Sequence, residues 1–521
     1  MEPQKRVIVN TGAQYTKAIL NTLLSLYSTR LVLDALQVTD YGIYAVVGGV
    51  VAMLGFITNA LLVTTQRYVS YYHGQGNSGY VKKIFSSSLF LHIVFAGVIA
   101  LVLLLIKGWL FNDVLNIPSD RIGTARQVYD VTIAMLVVTI LIAPFKALFI
   151  ARENIVYISV VDVCDGIVKL LMAIGLAYVS SDRLIVYAIM MMSIQIMNLM
   201  VFAGYANWKF EECSILISPK SVDKVIMAQL MGFAGWTTYG TGAVMARTQG
   251  INIIINHFYG ATANAAYGIA AQVNNAVTFV SSSIVNAMNP QIMKAEGEGK
   301  REHMLHLAAQ ESKYSVVLLS IVSIPIIMEL PGILNVWLKE VPPYTVMFAT
   351  FALAICLVDQ FTIGLHAGNQ AQGEIRNFTL IMFTPKLLNL PIAWILLARG
   401  CSLATVMWSV IIVEALIAVL RIPYMKRTAG LNILQYLQKT VIPTLPLIAM
   451  LFFVSWSCTQ LFHFPLRFLL TMLLSGTTGC ITVWFFTFTQ SERAYFLKLI
   501  HRSSPNTPHP CTGPLRYQTY I

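Results

Sequence analysis

The chain has 521 residues, of which 57% are hydrophobic and 11% charged, with a mean hydropathy of +0.69. Soluble domains carry about 25% charged residues, so a large water-soluble enzyme is excluded. The net charge of +12, from 35 Lys+Arg against 23 Asp+Glu, has two readings: a nucleic-acid partner, or the basic cytoplasmic loops of a membrane protein.

A bilayer core takes about 20 apolar residues per helix. In chain order the sequence predicts helices at 13–35, 41–66, 84–106, 127–150, 155–179, 184–207, 226–256, 262–290, 314–338, 344–369, 376–398, 401–420, 440–462 and 466–489. The first, seventh and eighth are the most polar. The expected fold class is therefore an all-α polytopic membrane protein with about fourteen transmembrane helices. Lys5 and Arg6 lead into an Asn- and Thr-containing start rather than a cleavable signal peptide. The seven Cys lack CxxC spacing, which argues against a metal site or a disulfide framework. No Gly-rich P-loop is present, so ATP hydrolysis is not expected.

The basic residues set the expected topology. With the N-terminus in the cytoplasm, seven of the 35 fall in outer loops: Lys107, Arg121, Arg126, Arg183, Lys339, Arg399 and Arg467. Five fall inside spans, namely Lys17, Arg30, Lys169, Arg247 and Lys386, and the rest lie on the inner side. Both termini are thus expected in the cytoplasm, and the bias removes the case for a nucleic-acid partner. The Pro-rich stretch from Ser503 to Ile521 has no periodicity and reads as a disordered tail. No loop has room for a folded extramembrane domain, so function must lie within the bundle.

Two stretches resemble each other across six helices. Tyr41-Gly42-Ile43 recurs as Tyr267-Gly268-Ile269, His73-Gly74-Gln75-Gly76-Asn77 as Glu296-Gly297-Glu298-Gly299-Lys300, and Lys169-Leu170-Leu171 as Lys386-Leu387-Leu388. An even number of spans gives two halves of like orientation, a parallel repeat with a site between two lobes. The expected division is a six-helix lobe at 1–210, a second at 211–425, two additional helices at 426–490 and a cytoplasmic tail at 491–521.

A charge at a helix centre costs about 2.5–3.5 kcal/mol on insertion scales, so such residues face a cavity or a partner. Lys169, Arg247 and Lys386 are mid-span. Lys169 and Lys386 hold equivalent repeat positions, where they would face each other across a central cleft and hold a polyanionic group such as a diphosphate. Arg247 would bind phosphate through its planar fork of donors. The alternative is that each neutralises a carboxylate within its own lobe. Lys17, near the inner end of the first helix, joins the cationic set or snorkels.

Asp162, Asp165 and Lys169 lie along one face of the fifth helix. Asp165 precedes Lys169 by four residues, the favourable order for an intrahelical pair, which leaves one carboxylate over as a candidate cation-coupling group. Asp359 on the tenth helix is another, whereas Glu414 and Arg421 read as a structural pair on the twelfth. The eighth helix carries a stripe of Gln272, Asn275, Ser282, Asn286 and Asn289, and the first helix a similar one including Asn21. Such amides suit sugar hydroxyls in a wet lumen, or interhelical hydrogen bonds.

Asn10-Thr11-Gly12, Arg30 to Asp34, Thr39-Asp40-Tyr41-Gly42-Ile43-Tyr44 and Gln66-Arg67-Tyr68-Val69 resemble bacterial polysaccharide flippases of the Wzx type. These belong to the multidrug/oligosaccharidyl-lipid/polysaccharide exporter superfamily, and the likeness is clearest over residues 5–85. The resemblance implies two six-helix lobes around a central cavity, here with two extra helices. It implies translocation of an undecaprenyl-diphosphate-linked oligosaccharide across a bacterial inner membrane, for lipopolysaccharide or capsule biosynthesis. Alternating access would be driven by a proton or sodium gradient, with no cofactor and no covalent chemistry. Implied partners are the lipid-linked oligosaccharide, membrane lipids, a polysaccharide polymerase and glycosyltransferases. A cation-coupled multidrug antiporter of the same superfamily is the nearest alternative, and a membrane glycosyltransferase or polymerase the second. The former favours an acidic, aromatic site, and the latter a large outer domain.

Overall fold

The computed structural model describes residues 3–52, 54–114, 117–213, 222–338, 341–464, 466–490 and 492–494. Of the expected tail at 491–521, only 492–494 fall among them. No strand occurs among the described residues. Several helices begin where the sequence supplies a capping side chain. Asn77 accepts from the Tyr80 amide at the start of α3 (Ser78–Trp109), and Asp182 from Leu184 at α6 (Arg183–Lys209). Asp223 accepts from Val225 and Ile226 at α7 (Lys224–Gly297), and Ser402 from Thr405 at α12 (Leu403–Ala429). Each cap satisfies an amide that the helix cannot. The remaining helices are α1 (Pro3–Ala52), α2 (Gly55–Gly74), α4 (Ile122–Ala151), α5 (Ile155–Leu176), α8 (Arg301–Trp337), α9 (Thr345–Gln360), α10 (Ile363–Gln372), α11 (Ile375–Ala398), α13 (Ile433–Tyr436), α14 (Leu445–Leu461) and α15 (Arg467–Thr482).

Two of these helices are broken by a residue in the left-handed region. In α1 it is Gln37 (φ 64°) and in α7 Gly260 (φ 75°), 223 residues apart. Glycine takes this conformation at little cost, whereas Gln37 carries strain and is held by its neighbours. Its side chain donates to the Asp34 carbonyl at 3.0 Å, and Arg183 donates to the Ala35 carbonyl at 3.1 Å. Arg121 then ties Asp40 to Asp182. Burial works against the charge of Asp182, but the Arg121 guanidinium and the Leu184 amide hold its carboxyl below the ordinary value.

With reversals at Gln37 and Gly260, with the second arm of α1 and α2 taken as one pass, and with α9 and α10 taken as one pass bent by 48°, the described helices make fourteen passes in two six-pass lobes plus a pair. Eight of the helices are apolar enough to cross a bilayer on composition alone. The helices α2, α5 and α7 are not among them. These carry the polar residues that meet a cavity or the other lobe, so they need not be apolar to be buried.

The lobes meet mainly where α2 packs along α7. A Cβ on Gly74 would overlap the Lys294 carbonyl oxygen, and one on Gly297 would overlap that of Tyr71. Gly74 and Gly297 are again 223 residues apart, as are Tyr71 and Lys294, so the two contacts are one contact repeated by pseudo-symmetry. The same end of the bundle carries Arg67, which donates from α2 to the Gln370 and Ala371 carbonyls at the end of α10 (3.1 and 3.0 Å). Tyr15 of α1 donates to the Val280 carbonyl at 2.6 Å. The final pair, α14 and α15, packs on α8, fastened by Arg467–Glu329 (2.9 Å) and Lys313–Glu492 (2.9 Å).

Gly297→Val should push α2 and α7 apart at this end. Spin labels at positions 75 and 298 are expected to report a longer, broader separation than in the parent protein. An unchanged distance would mean that the glycine contact does not hold the lobes together.

Candidate functional site: a polar cavity within the first lobe

The first lobe encloses a cavity of about 760 Å³ lined by the Gln37–Ala52 arm of α1 and by α2, α4, α5 and α6. Its polar lining includes Thr58, Asn59, Lys146, Asp162, Asp165, Lys169, Gln195 and Asn198. A second hollow of about 370 Å³, bordered by Asn21, Ser25 and Ser28 of α1, shares Asp162, Asp165 and Lys169 with it. The carboxylate face of α5 therefore stands between the two. Gly166 lets α1 approach α5 here, since a Cβ at that position would lie 2.9 Å from Asn21 Oδ1.

The charges form one network. Asp162 accepts from Lys17 of α1 and from Lys146 of α4, the latter at 3.2 Å. Asp165 takes Lys169 at 2.7 Å and the Asn198 amide at 2.9 Å. Among the described residues of this cluster, three lysines face two aspartates, leaving an excess positive charge beside neutral amides and hydroxyls. The Lys169 side chain is 37% exposed, so its charge is available to a molecule in the cavity. Chemically the arrangement can hold an anionic group and hydrogen-bond several hydroxyls.

The second lobe is built differently. Glu414 of α12 accepts from Lys386 of α11 with both oxygens at 2.9 Å and also pairs with Arg247 of α7. Arg421 pairs with Asp359 at 2.8 Å. Lys386, Glu414 and Arg421 are all nearly inaccessible, at 5%, 2% and 2%.

Several expectations are corrected by these contacts. Lys169 and Lys386 do not face each other across a central cleft: Lys169 opens into the first lobe, and Lys386 is enclosed within the second. Arg247 is likewise committed to Glu414 inside its own lobe. No carboxylate is left over on α5, because Lys17 and Lys146 reach Asp162 from other helices. Lys17 does not snorkel free. Asp359 is held by Arg421, so the expected Glu414–Arg421 pair does not form; each takes a partner from another helix. Of the α7 stripe, Gln272, Asn275 and Asn286 are exposed, Ser282 bonds back to the Phe279 carbonyl, and Asn289 Oδ1 is buried without a partner. None of the five borders either hollow, whereas Asn21 does. Lys146 was missed by sequence reasoning because, four residues from the end of the predicted helix 127–150, it reads as an interfacial cation. Gln195 and Asn198 sit in an otherwise apolar helix, which is the signal that could have found them.

No family model and no curated relative matches the chain. Solved structures do. A MATE transporter in complex with MaL6 superposes with a TM-score of 0.70 at 13% identity, over 82% of this chain and 97% of that one. This chain has the fold of the MATE transporters. An outward-facing multidrug-resistance MATE family transporter of the MOP superfamily gives the same score and identity, over 82% of this chain and 96% of that one. So does a MOP superfamily transporter from Pyrococcus furiosus, over the same shares, whose binding pocket is described as of reversed polarity suggesting a different function. All three cover nearly the whole of the solved chain and leave about a fifth of this one unmatched.

The two lobes predict different responses to neutralisation. Glu414→Gln leaves Lys386 and Arg247 without the carboxylate charge they share and is expected to cost about 3–5 kcal/mol, seen as a large fall in melting temperature in detergent. Asp165→Asn, beside a solvent-reachable lysine, should cost about 1 kcal/mol or less. Equal losses would contradict the distinction between a wet and an enclosed network.

Proposed function

We propose that this protein is a flippase for a lipid-linked, diphosphate-bearing oligosaccharide, working by alternating access between its two lobes. The observation that carries the reading is the first-lobe cavity, where lysines outnumber aspartates among amides and hydroxyls. An excess of positive charge attracts a phosphate group, and it repels the cationic compounds that a multidrug exporter would need to admit. Lys146 and Lys169 would meet the phosphates, while Asn59, Gln195 and Asn198 would meet sugar hydroxyls. Two like-oriented lobes joined at one end can rock about that seam, opening the cavity to each face in turn. On this reading the protein belongs in a bacterial inner membrane with both termini cytoplasmic, alongside glycosyltransferases and a polymerase that supply and consume the saccharide.

A cation-coupled antiporter remains the second reading, favoured by Asp162 and Asp165, whose carboxylates a competing cation could occupy once their lysines move away. The two are separated in proteoliposomes. A fluorescent lipid-diphosphate oligosaccharide is expected to cross the bilayer with the parent protein. Lys146→Gln and Lys169→Gln should each slow it by at least tenfold, without loss of insertion or of melting temperature. Proton-driven export of ethidium, with no movement of the lipid, would overturn the flippase reading in favour of the antiporter.

A further inference from the structure

The second-lobe network, enclosed at Lys386, Glu414 and Arg421 and partly open at Asp359 and Arg247, is not electrically balanced. Among the described residues it joins Arg247, Lys386 and Arg421 to Glu414 and Asp359, three cations to two carboxylates. Lys386, Arg421, Asp359 and His366 all lie within electrostatic reach of one another. Glu311 of α8 does not make up the difference, because among the described residues its carboxylate has no hydrogen-bond partner and forms no ion pair with these cations. A residual charge at such a depth is costly unless an opposite charge accompanies it.

Two donors point to how the balance is met. Arg421 gives one terminal nitrogen to Asp359 and to the Thr362 hydroxyl (2.8 and 3.2 Å), but its Nε is enclosed and has no acceptor. The Gln370 amide nitrogen lies 3.0 Å from His366 Nε2. With the Gln370 amide in this orientation its NH₂ donates, so Nε2 accepts and the ring proton sits on Nδ1. That Nδ1 is also enclosed and without an acceptor. Buried N–H groups without acceptors are rare in proteins, and here two occur in a network with surplus positive charge.

We propose that the second lobe binds a small monovalent anion of the halide class, held by Arg421 and His366 at the junction of α9, α10 and α12. The anion neutralises the lobe and fixes the bend between α9 and α10, where Thr362 stands at the start of α10. This site is separate from the first-lobe cavity and independent of the substrate proposed for it.

The test uses the full-length protein in detergent, with sodium chloride, bromide or gluconate at equal ionic strength. Chloride and bromide are expected to raise the melting temperature saturably by several degrees over gluconate. His366→Phe, which keeps the ring packing on Phe378 (centroids 5.3 Å apart), should weaken the halide affinity at least tenfold. Thr362→Asp places a carboxylate beside Arg421 at a helix start that favours Asp, and should keep the higher melting temperature in gluconate. Equal melting temperatures in all three salts would overturn the proposal, as would a halide response left intact in the His366→Phe protein.

Discussion

In both lobes one carboxylate serves two cations drawn from other helices. Asp162 holds Lys17 of α1 and Lys146 of α4; Glu414 holds Arg247 of α7 and Lys386 of α11. A cation inside a bilayer is tolerated beside an acceptor and expelled without one. Each shared carboxylate therefore fixes the rotation of three helices about their own axes, which apolar packing against lipid cannot do. The rest of each lobe is arranged around that junction.

The two junctions differ in access, and in the function proposed above the difference gives the lobes different roles. Around Asp162 the helices stand apart and leave a wet cavity, so the lysines can exchange a carboxylate for a visiting anion. Around Glu414 the space is filled by side chains, and Arg247 and Lys386 are committed to its carboxylate. Such a network is unsuited to binding a large cargo and well suited to keeping a lobe rigid. The alternating access proposed above would use both properties, because a rocking lobe transmits its motion only if it does not deform.

The seam between the lobes has its own physical basis. At one end of the bundle, Gly74 and Gly297 bring α2 and α7 together at backbone distance, closer than any side chain would allow. Contacts of this kind are short in reach and carry no ion pair. The charge at this end is that of Arg67, whose carbonyl acceptors lie on α10 of the other lobe.

Much of the fold was legible in the sequence. All fourteen predicted segments fall on helices, because apolar length and turn residues are local properties. The repeat was visible in His73–Asn77 and Glu296–Lys300, whose first glycines, Gly74 and Gly297, prove to be the lobe contact itself. The carboxylates on α5 stood out as charges in a span. The sequence could not say which cation each would meet. Arg247 and Glu414 are separated by 167 residues, and their meeting depends on how two helices are rotated and how deep each sits. A helix turns about 100° per residue, so a side chain's direction is lost within one or two residues of error in register. Hydropathy and spacing thus determined the helices, their breaks and their twofold plan, while only the packed structure decided which lobe is hollow, since a cavity is a property of surfaces brought together and of no single segment.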